Sequence, residues 1–427
     1  MAKALKPCPL CQLAPGGNEH DLVYYEYQAT RDFAQTTQKA TELGVLATEE
    51  DIRSHLQYHR TVQPPPRKPL KRANALLRAN NLPERLQTIL ILLSRVKPLS
   101  AAQIADMFYW TGVSEQLNSA RNSCYRDLRR LALDDFAYRF YPDSSILGGP
   151  RTDQLTLYFL GRDATPFVEQ REALELSRRD FVVSADQLKK ETRVLHWHES
   201  ADVFCSLTRQ IQRMAAVGHR PAIQDQRNGN VMQFAVSFQP GNWFGSSRTS
   251  IRFTDPLGRA AAAIAPDSLA AFGLTMPEKG FSVLAPFFYE YDDGVRAPHS
   301  IAETLLNYMA LRRAGALTDH FPQLPRRGYF PPILVVCREM RRVIAIQDAV
   351  GALLHKRNIG GETLPVAIIT DAVTLAHHGV AGQAWLSLWE SGYEAKRYRL
   401  IEALLQTCGP LVGQLPATVK LQYRAGT

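Results

Sequence analysis

Between residues 83 and 133 the apolar positions recur with helical spacing. Leu86, Ile89, Leu90 and Leu93 fall on one side of a first amphipathic helix beginning near Pro83. SAAQIADMF predicts a short second helix with Ser100 as its N-cap. A third helix is predicted from Ser114, with Leu117, Ala120, Cys124, Leu128 and Leu131 on its apolar stripe. Its opposite face carries Asn118, Arg121, Asn122, Tyr125 and Arg129, with Arg126 and Arg130 beside it. The period then shortens to two. FAYRFY and QLTLYFL read as strands joined by the Gly/Pro-rich turn PDSSILGGPRTD. Three helices and then a hairpin is the order of a winged helix-turn-helix, here spanning 81–163. Amides and arginines on the third helix are what entry into a DNA major groove requires. The expected DNA contacts are Asn118, Arg121, Asn122, Tyr125 and Arg129, with Arg151 on the wing.

From about residue 190 the pattern mixes both periods. RVLHWHESADVFCSLTRQIQRM is a predicted helix burying Leu195, Val203, Leu207 and Ile211. VMQFAVSF, SIRFT, AAAAIAPD and FSVLAPFFYEYD are strand-like. SIAETLLNYMALRRAG (helix), PPILVVC (strand), VIAIQDAVGALLHKR (helix) and LPVAIITD (strand) follow. Strands first and then alternating helix and strand predict a mixed sheet flanked by helices over 190–380, with a helical segment at 381–427.

The first 60 residues carry a different signal. Cys8 and Cys11 form a CxxC knuckle, and His55 and His59 form an HxxxH pair on the predicted helix TEEDIRSHLQYH, with Thr48 at its N-cap. HxxxH sets two imidazoles on one helix face, one turn apart, as two ligands of a tetrahedral Zn²⁺ require. A unit of this size gains most of its stability from such a staple. Cys8, Cys11, His55 and His59 are therefore the expected ligands of a structural zinc, with His20 in reserve. Between this unit and the helices, over 61–80, lies QPPPRKPLKR. Three consecutive prolines predict an extended spacer, and Arg67, Lys68, Lys71 and Arg72 give it a charge suited to phosphate contacts.

Composition narrows the class. The chain has 427 residues, 45% of them apolar, and a net charge of +9, a modest excess for its length. Six scattered cysteines do not make a disulfide scaffold, no apolar run reaches membrane-spanning length, and MAKALKPCPLC lacks the apolar stretch of a secretion signal. A soluble, cytoplasmic protein with no membrane partner is expected. No Walker-type loop, GxSxG elbow or dinucleotide fingerprint is present.

LTLYFLGR closing the hairpin, VLHWHESADVFCSL, and IAPDSLAAF followed by FFYEYDDG and a helix containing Tyr308 together resemble the replication-relaxation family of plasmid and mobile-element proteins. The resemblance implies a restriction-endonuclease-like core behind the winged helix, in an α+β or α/β multidomain chain. In an active core of that kind two acids on neighbouring strands hold a divalent ion and a lysine two residues past the second acid assists the attacking water. Asp267, Glu290 and Asp292 are the candidate acids here, and Asp292 stands where the lysine would be. Mg²⁺ is implied only if that core is active; an acid-x-acid pattern without the lysine points to an inactive one. The expected function is double-stranded DNA binding in the replication or mobilisation of a plasmid or mobile element, or in its regulation. The alternatives are a metal-dependent nuclease or nickase using those three acids, and an adaptor that docks a relaxase or replication protein. A homodimer is compatible with each.

Overall fold

The structure is a computed structural model that describes residues 33–42, 48–50, 53, 70–109, 116–140, 156–173, 176, 180–182, 188, 194–224, 231–245, 249–254, 262–325, 328–359, 364–379, 382–390, 397–422 and 424. The chain divides into two compact units, Met1–His198 and Glu199–Thr427. Cys8, Cys11, His20, His55, His59, Arg67, Lys68 and Arg151 lie outside the described residues.

In the first unit, α1 (Phe33–Glu42) is followed by α2 (Arg72–Asn80), α3 (Glu84–Arg95), β1 (Leu99–Ser100), α4 (Ala101–Phe108), α5 (Leu117–Leu133), β2 (Ala137–Phe140), β3 (Leu157–Leu160) and α6 (Thr165–Glu172). The stripe predicted for α3 is its buried face: Leu86, Ile89, Leu90 and Leu93 are each at most 1% exposed. Burial of that kind contributes roughly 1.5–3 kcal/mol per side chain. α4 begins with the predicted cap. The Ser100 hydroxyl accepts from the Gln103 amide, and the Gln103 side chain accepts in return from the Ser100 amide.

β1, β3 and β2 form a three-stranded antiparallel sheet in that order. β3 ends on Gly161, where a Cβ would stand 2.2 Å from the Asp135 carbonyl oxygen; only glycine lets the strand end come this close to the turn leaving α5. Under the sheet, Phe140, Leu157, Phe159, Val182, Leu188 and Val194 make one apolar cluster.

Two expectations are corrected here. Residues 72–80, assigned to an extended spacer, form α2, because the prolines end at Pro69 and RANALLRAN has good helix formers. Tyr125, placed on the outer face of α5, is 7% exposed and belongs to the core beside Cys124.

In the second unit, α7 (Val194–Ala216), whose first residues belong to the first unit, leads to β4 (Ala222–Gln224), β5 (Val231–Gln233), β6 (Ala235–Gly245), β7 (Ile251–Phe253), β8 (Ala262–Ile264), β9 (Ser268–Met276) and β10 (Phe281–Asp292). Then come α8 (Pro298–Ala314), α9 (Leu317–His320), β11 (Ile333–Cys337), α10 (Met340–Lys356), β12 (Ala367–Asp371), α11 (Ala372–His378), β13 (Trp385–Ser387), β14 (Arg397–Tyr398) and α12 (Leu400–Cys408).

Seven strands make one mixed sheet, ordered β14-β13-β12-β11-β10-β9-β6. β6, β9 and β10 pair antiparallel; β10, β11 and β12 pair parallel, with α8 and α10 as their crossovers. Every residue of β11 and β12 is buried, as expected of central parallel strands covered on both faces. β13 and β14 continue the sheet antiparallel, which corrects the purely helical reading of 381–427. They are three and two residues long, too short to show a period in the sequence. No helix among the described residues is long and apolar enough to cross a membrane.

This sheet buries groups that ionise only at alkaline pH. Burial pushes the hydroxyls of Tyr289, Tyr308 and Tyr329 well above their usual 10.0 and the Cys408 thiol from 9.0 up to about 12. Raised folded-state values mean that the unfolded chain loses these protons first. The stability they contribute is complete below about pH 9 and is lost as pH rises toward the folded values. Thermal melting should therefore hold level to about pH 8.5 and fall steeply by about pH 10.5. A melting temperature flat across that window would mean these side chains are not buried in solution.

Candidate functional site

The carboxyl end of β10 is where the sheet brings chemistry-bearing residues together. β9 ends opposite Tyr289, through the Ser268–Tyr289 pair, but β10 runs on to Asp292 with β11 as its remaining neighbour. The Tyr291 amide on the vacated side is satisfied by a side chain: Asp267 Oδ2 accepts from it at 2.8 Å. Strand alternation then sends Glu290 and Asp292 to one face and Tyr289 and Tyr291 to the other.

On the first face the Tyr308 hydroxyl, from α8, donates to Glu290 Oε1 at 2.5 Å. Burial and the adjacent Glu290 carboxylate hold that hydroxyl far above its ordinary pKa, so Tyr308 stays a protonated donor. Asp292, 4% exposed, accepts two bonds from the Arg342 guanidinium, at 2.5 and 3.0 Å, and Arg342 also donates to the Arg296 carbonyl. The bond to Asp292 raises the Arg342 pKa further. On the second face the Tyr291 hydroxyl donates to Glu199 Oε2 at 3.1 Å, and Arg338 donates to the other oxygen of Glu199.

The three acids are thus gathered at one strand end, but each turns to a partner of its own. Among the described residues no group of three His, Cys, Asp or Glu side chains could hold a metal ion. Asp267, Glu290 and Asp292 are bonded to the Tyr291 amide, the Tyr308 hydroxyl and the Arg342 guanidinium in turn. No lysine approaches from α8, whose sequence has none. The cation beside Asp292 is Arg342, whose guanidinium keeps its proton at any ordinary pH and cannot serve as a general base. Arg342 belongs to CREMRR, a run that reads as basic surface in the sequence. The usable signal was its place: a residue in the first turn of a helix that follows a parallel strand lies at the carboxyl end of that strand.

The second candidate is the outer face of α5 in the first unit. Asn118, Asn122, Arg126 and Arg130 are exposed, and Arg121 and Arg129 are half-buried. The acids in and after this helix are occupied: Asp127 pairs with Arg85 at 3.0 Å and accepts from the Tyr109 hydroxyl at 2.8 Å, and Asp134 pairs with Arg78 at 2.5 Å. Arg126 and Arg130 have no such counter-charge among the described residues. Of the basic residues expected to touch phosphate, Lys71 is exposed and Arg72 pairs with Glu169 at 2.7 Å.

With this geometry in hand, the sequence comparison decides the family: the replication-relaxation description matches residues 90–325, more than half of the 427 residues. The chain belongs to the replication-relaxation family. No curated protein and no solved structure matches it. In this replication-relaxation protein the matched region includes α5, Asp267, Glu290, Asp292 and Tyr308; Arg342 lies beyond it.

The Arg342–Asp292 pair gives a direct test. Removing one partner leaves a buried charge uncompensated, so Arg342→Ala should lower stability by about 3 kcal/mol or more. Adding Asp292→Asn should recover part of that loss, because the orphaned charge disappears with it. Urea unfolding of the two single variants and the double variant measures the coupling; strictly additive losses would show that the pair is not formed.

Proposed function

We propose that this protein binds double-stranded DNA and acts in the replication or mobilisation of a plasmid or other mobile element. Family membership suggests the replication role. The observation that carries DNA binding is the outer face of α5, where two amides and two arginines without an ion pair among the described residues are exposed while the neighbouring acids are tied to Arg85 and Arg78. Amide and guanidinium groups have the donor and acceptor geometry that reads base edges, and the same arginines can reach phosphates. On this reading α3, α4 and α5 form a winged helix-turn-helix, with α5 entering the major groove and β2 and β3 carrying the wing.

Counting only the strands of its seven-stranded sheet, the second unit runs helix, three antiparallel strands (β6, β9, β10), helix and parallel strand (β11), an order that supports a restriction-endonuclease-like core. With its acids partnered inside the protein, it would serve as scaffold or as the surface that meets a relaxase or replication protein. The amino-terminal CxxC and HxxxH pairs would hold a structural Zn²⁺.

A labelled duplex titrated at increasing salt tests the main reading. Arg126→Ala combined with Arg130→Ala should reduce the slope of log affinity against log salt by about two. Asn122→Ala should instead change the preference among duplex sequences at an almost unchanged slope. Wild-type affinity in the double-arginine variant would remove α5 from the interface. Running the same mixtures with Mg²⁺ or Mn²⁺ and plasmid reads strand nicking as well; metal-dependent nicking lost in Glu290→Ala would replace the binding-protein reading with the nuclease one.

A further inference from the structure

We propose that residues 415–424 form an exchangeable strap, and that its partner is a second copy of this chain, each copy laying its strap in the other's groove. In the single chain the strap folds back on its own unit. The Leu284 amide, on the side of β10 that β11 leaves open, donates to the Leu415 carbonyl at 2.8 Å. The Asn242 side chain of β6 donates to the Val419 carbonyl at 3.2 Å and accepts from the Leu421 amide at 3.0 Å. Gln323, just past α9, makes the same pair of bonds to the carbonyl and amide of Gln422, both at 3.2 Å. At the end of α9 the His320 carbonyl accepts from the Arg424 amide at 2.8 Å, and His320 Nδ1 stands 3.2 Å from the Arg424 carbonyl.

Each of these bonds goes to the main chain of the strap, so the groove grips an extended backbone much as a neighbouring strand would. Fit beyond that comes from Leu415, Ala417 and Leu421, whose side chains are buried. A second copy brings the same backbone and the same three side chains. Exchange between two copies therefore keeps every one of these contacts, and the two grooves fill each other symmetrically.

The turn before the strap decides which groove it enters. A short 3-10 turn, Gly409–Leu411, ends with Leu411 buried, and Val412, Gly413 and Gln414 after it are exposed. The chain doubles back there, and the Leu415 amide donates to the Leu411 carbonyl at 3.0 Å. Gly413 makes this possible with φ +76°, a left-handed conformation that residues bearing a Cβ resist. Opened out, the four steps from Leu411 to Leu415 span about 13–14 Å, which lets the strap leave its own groove while Leu411 stays buried. A short tether gives an effective concentration on the order of 1 mM, so the closed chain prevails when dilute and the exchanged pair gains as the protein is concentrated. Gly413 is thus the hinge, and the balance lies in how easily its turn closes.

Sedimentation equilibrium of the full chain, from about 10 µM to about 1 mM, tests this. The wild type should be monomeric at the low end, with a dimer growing toward the high end. Gly413→Val strains the closed turn but not an extended link, and each dimer relaxes two such turns, so its dissociation constant should fall about a hundredfold. Gly413→Asn, a residue that tolerates positive φ, should associate as the wild type does. If the valine chain fails to fold, Gly413→Ala gives a smaller shift in the same direction. Dimers of equal strength in the valine (or alanine) and asparagine chains would show that the hinge does not govern association, and would overturn the inference. So would monomers in every chain at the highest concentration.

Discussion

β10 has an antiparallel neighbour on one side and a parallel neighbour on the other, and it runs past the end of the first while still paired with the second. A backbone amide left without a strand partner inside a protein must find another acceptor, since a buried unpaired amide costs about 1–3 kcal/mol. Asp267 supplies that acceptor from the residue just before β9, and so becomes part of the sheet's own hydrogen bonding. Once the strand is held straight through Tyr291, alternation sends Glu290 and Asp292 to the face that α8 and α10 cover. Tyr308 and Arg342 then meet them there.

The consequence for chemistry is a matter of which charges are already answered. An acid two residues beyond Glu290 repels the oxyanion of a phosphodiester where a lysine would attract it. The nearest guanidinium repairs the local balance but is committed to Asp292 through two bonds. A divalent ion entering between these acids would have to displace an arginine from a nearly dry carboxylate and a tyrosine from Glu290. Acid, phenol and guanidinium lock β10, α8 and α10 together at this strand end.

Much of the fold was legible because its long elements are strongly periodic. α3, α5, α7 and α10 each carry a recognisable apolar stripe, and Ser100 announces α4 through its side-chain chemistry. What was not legible has specific causes. Tyr125 follows Cys124 directly, at the border of the α5 stripe, where either side of the helix is available to it, and an aromatic ring gains more by burial than a polar face gains by displaying it. α2 was hidden by the prolines just before it. β13 and β14 are too short for any period. At the candidate site the three acids were readable as residue types at a strand end, but Arg342 was not readable as a partner, because it lies 50 residues from Asp292 in sequence and only the pairing of β11 with β10 brings it near.

α5 presents Asn118 and Asn122 with Arg126 and Arg130 along one helix. Amides supply both donor and acceptor at fixed spacing, so such a face can distinguish one base pair from another. Guanidinium reaches phosphate without regard to the base beyond it, and so fixes register rather than sequence. On the proposed reading the amides would choose the sequence and the arginines would hold the duplex, and the two roles separate by side-chain chemistry alone.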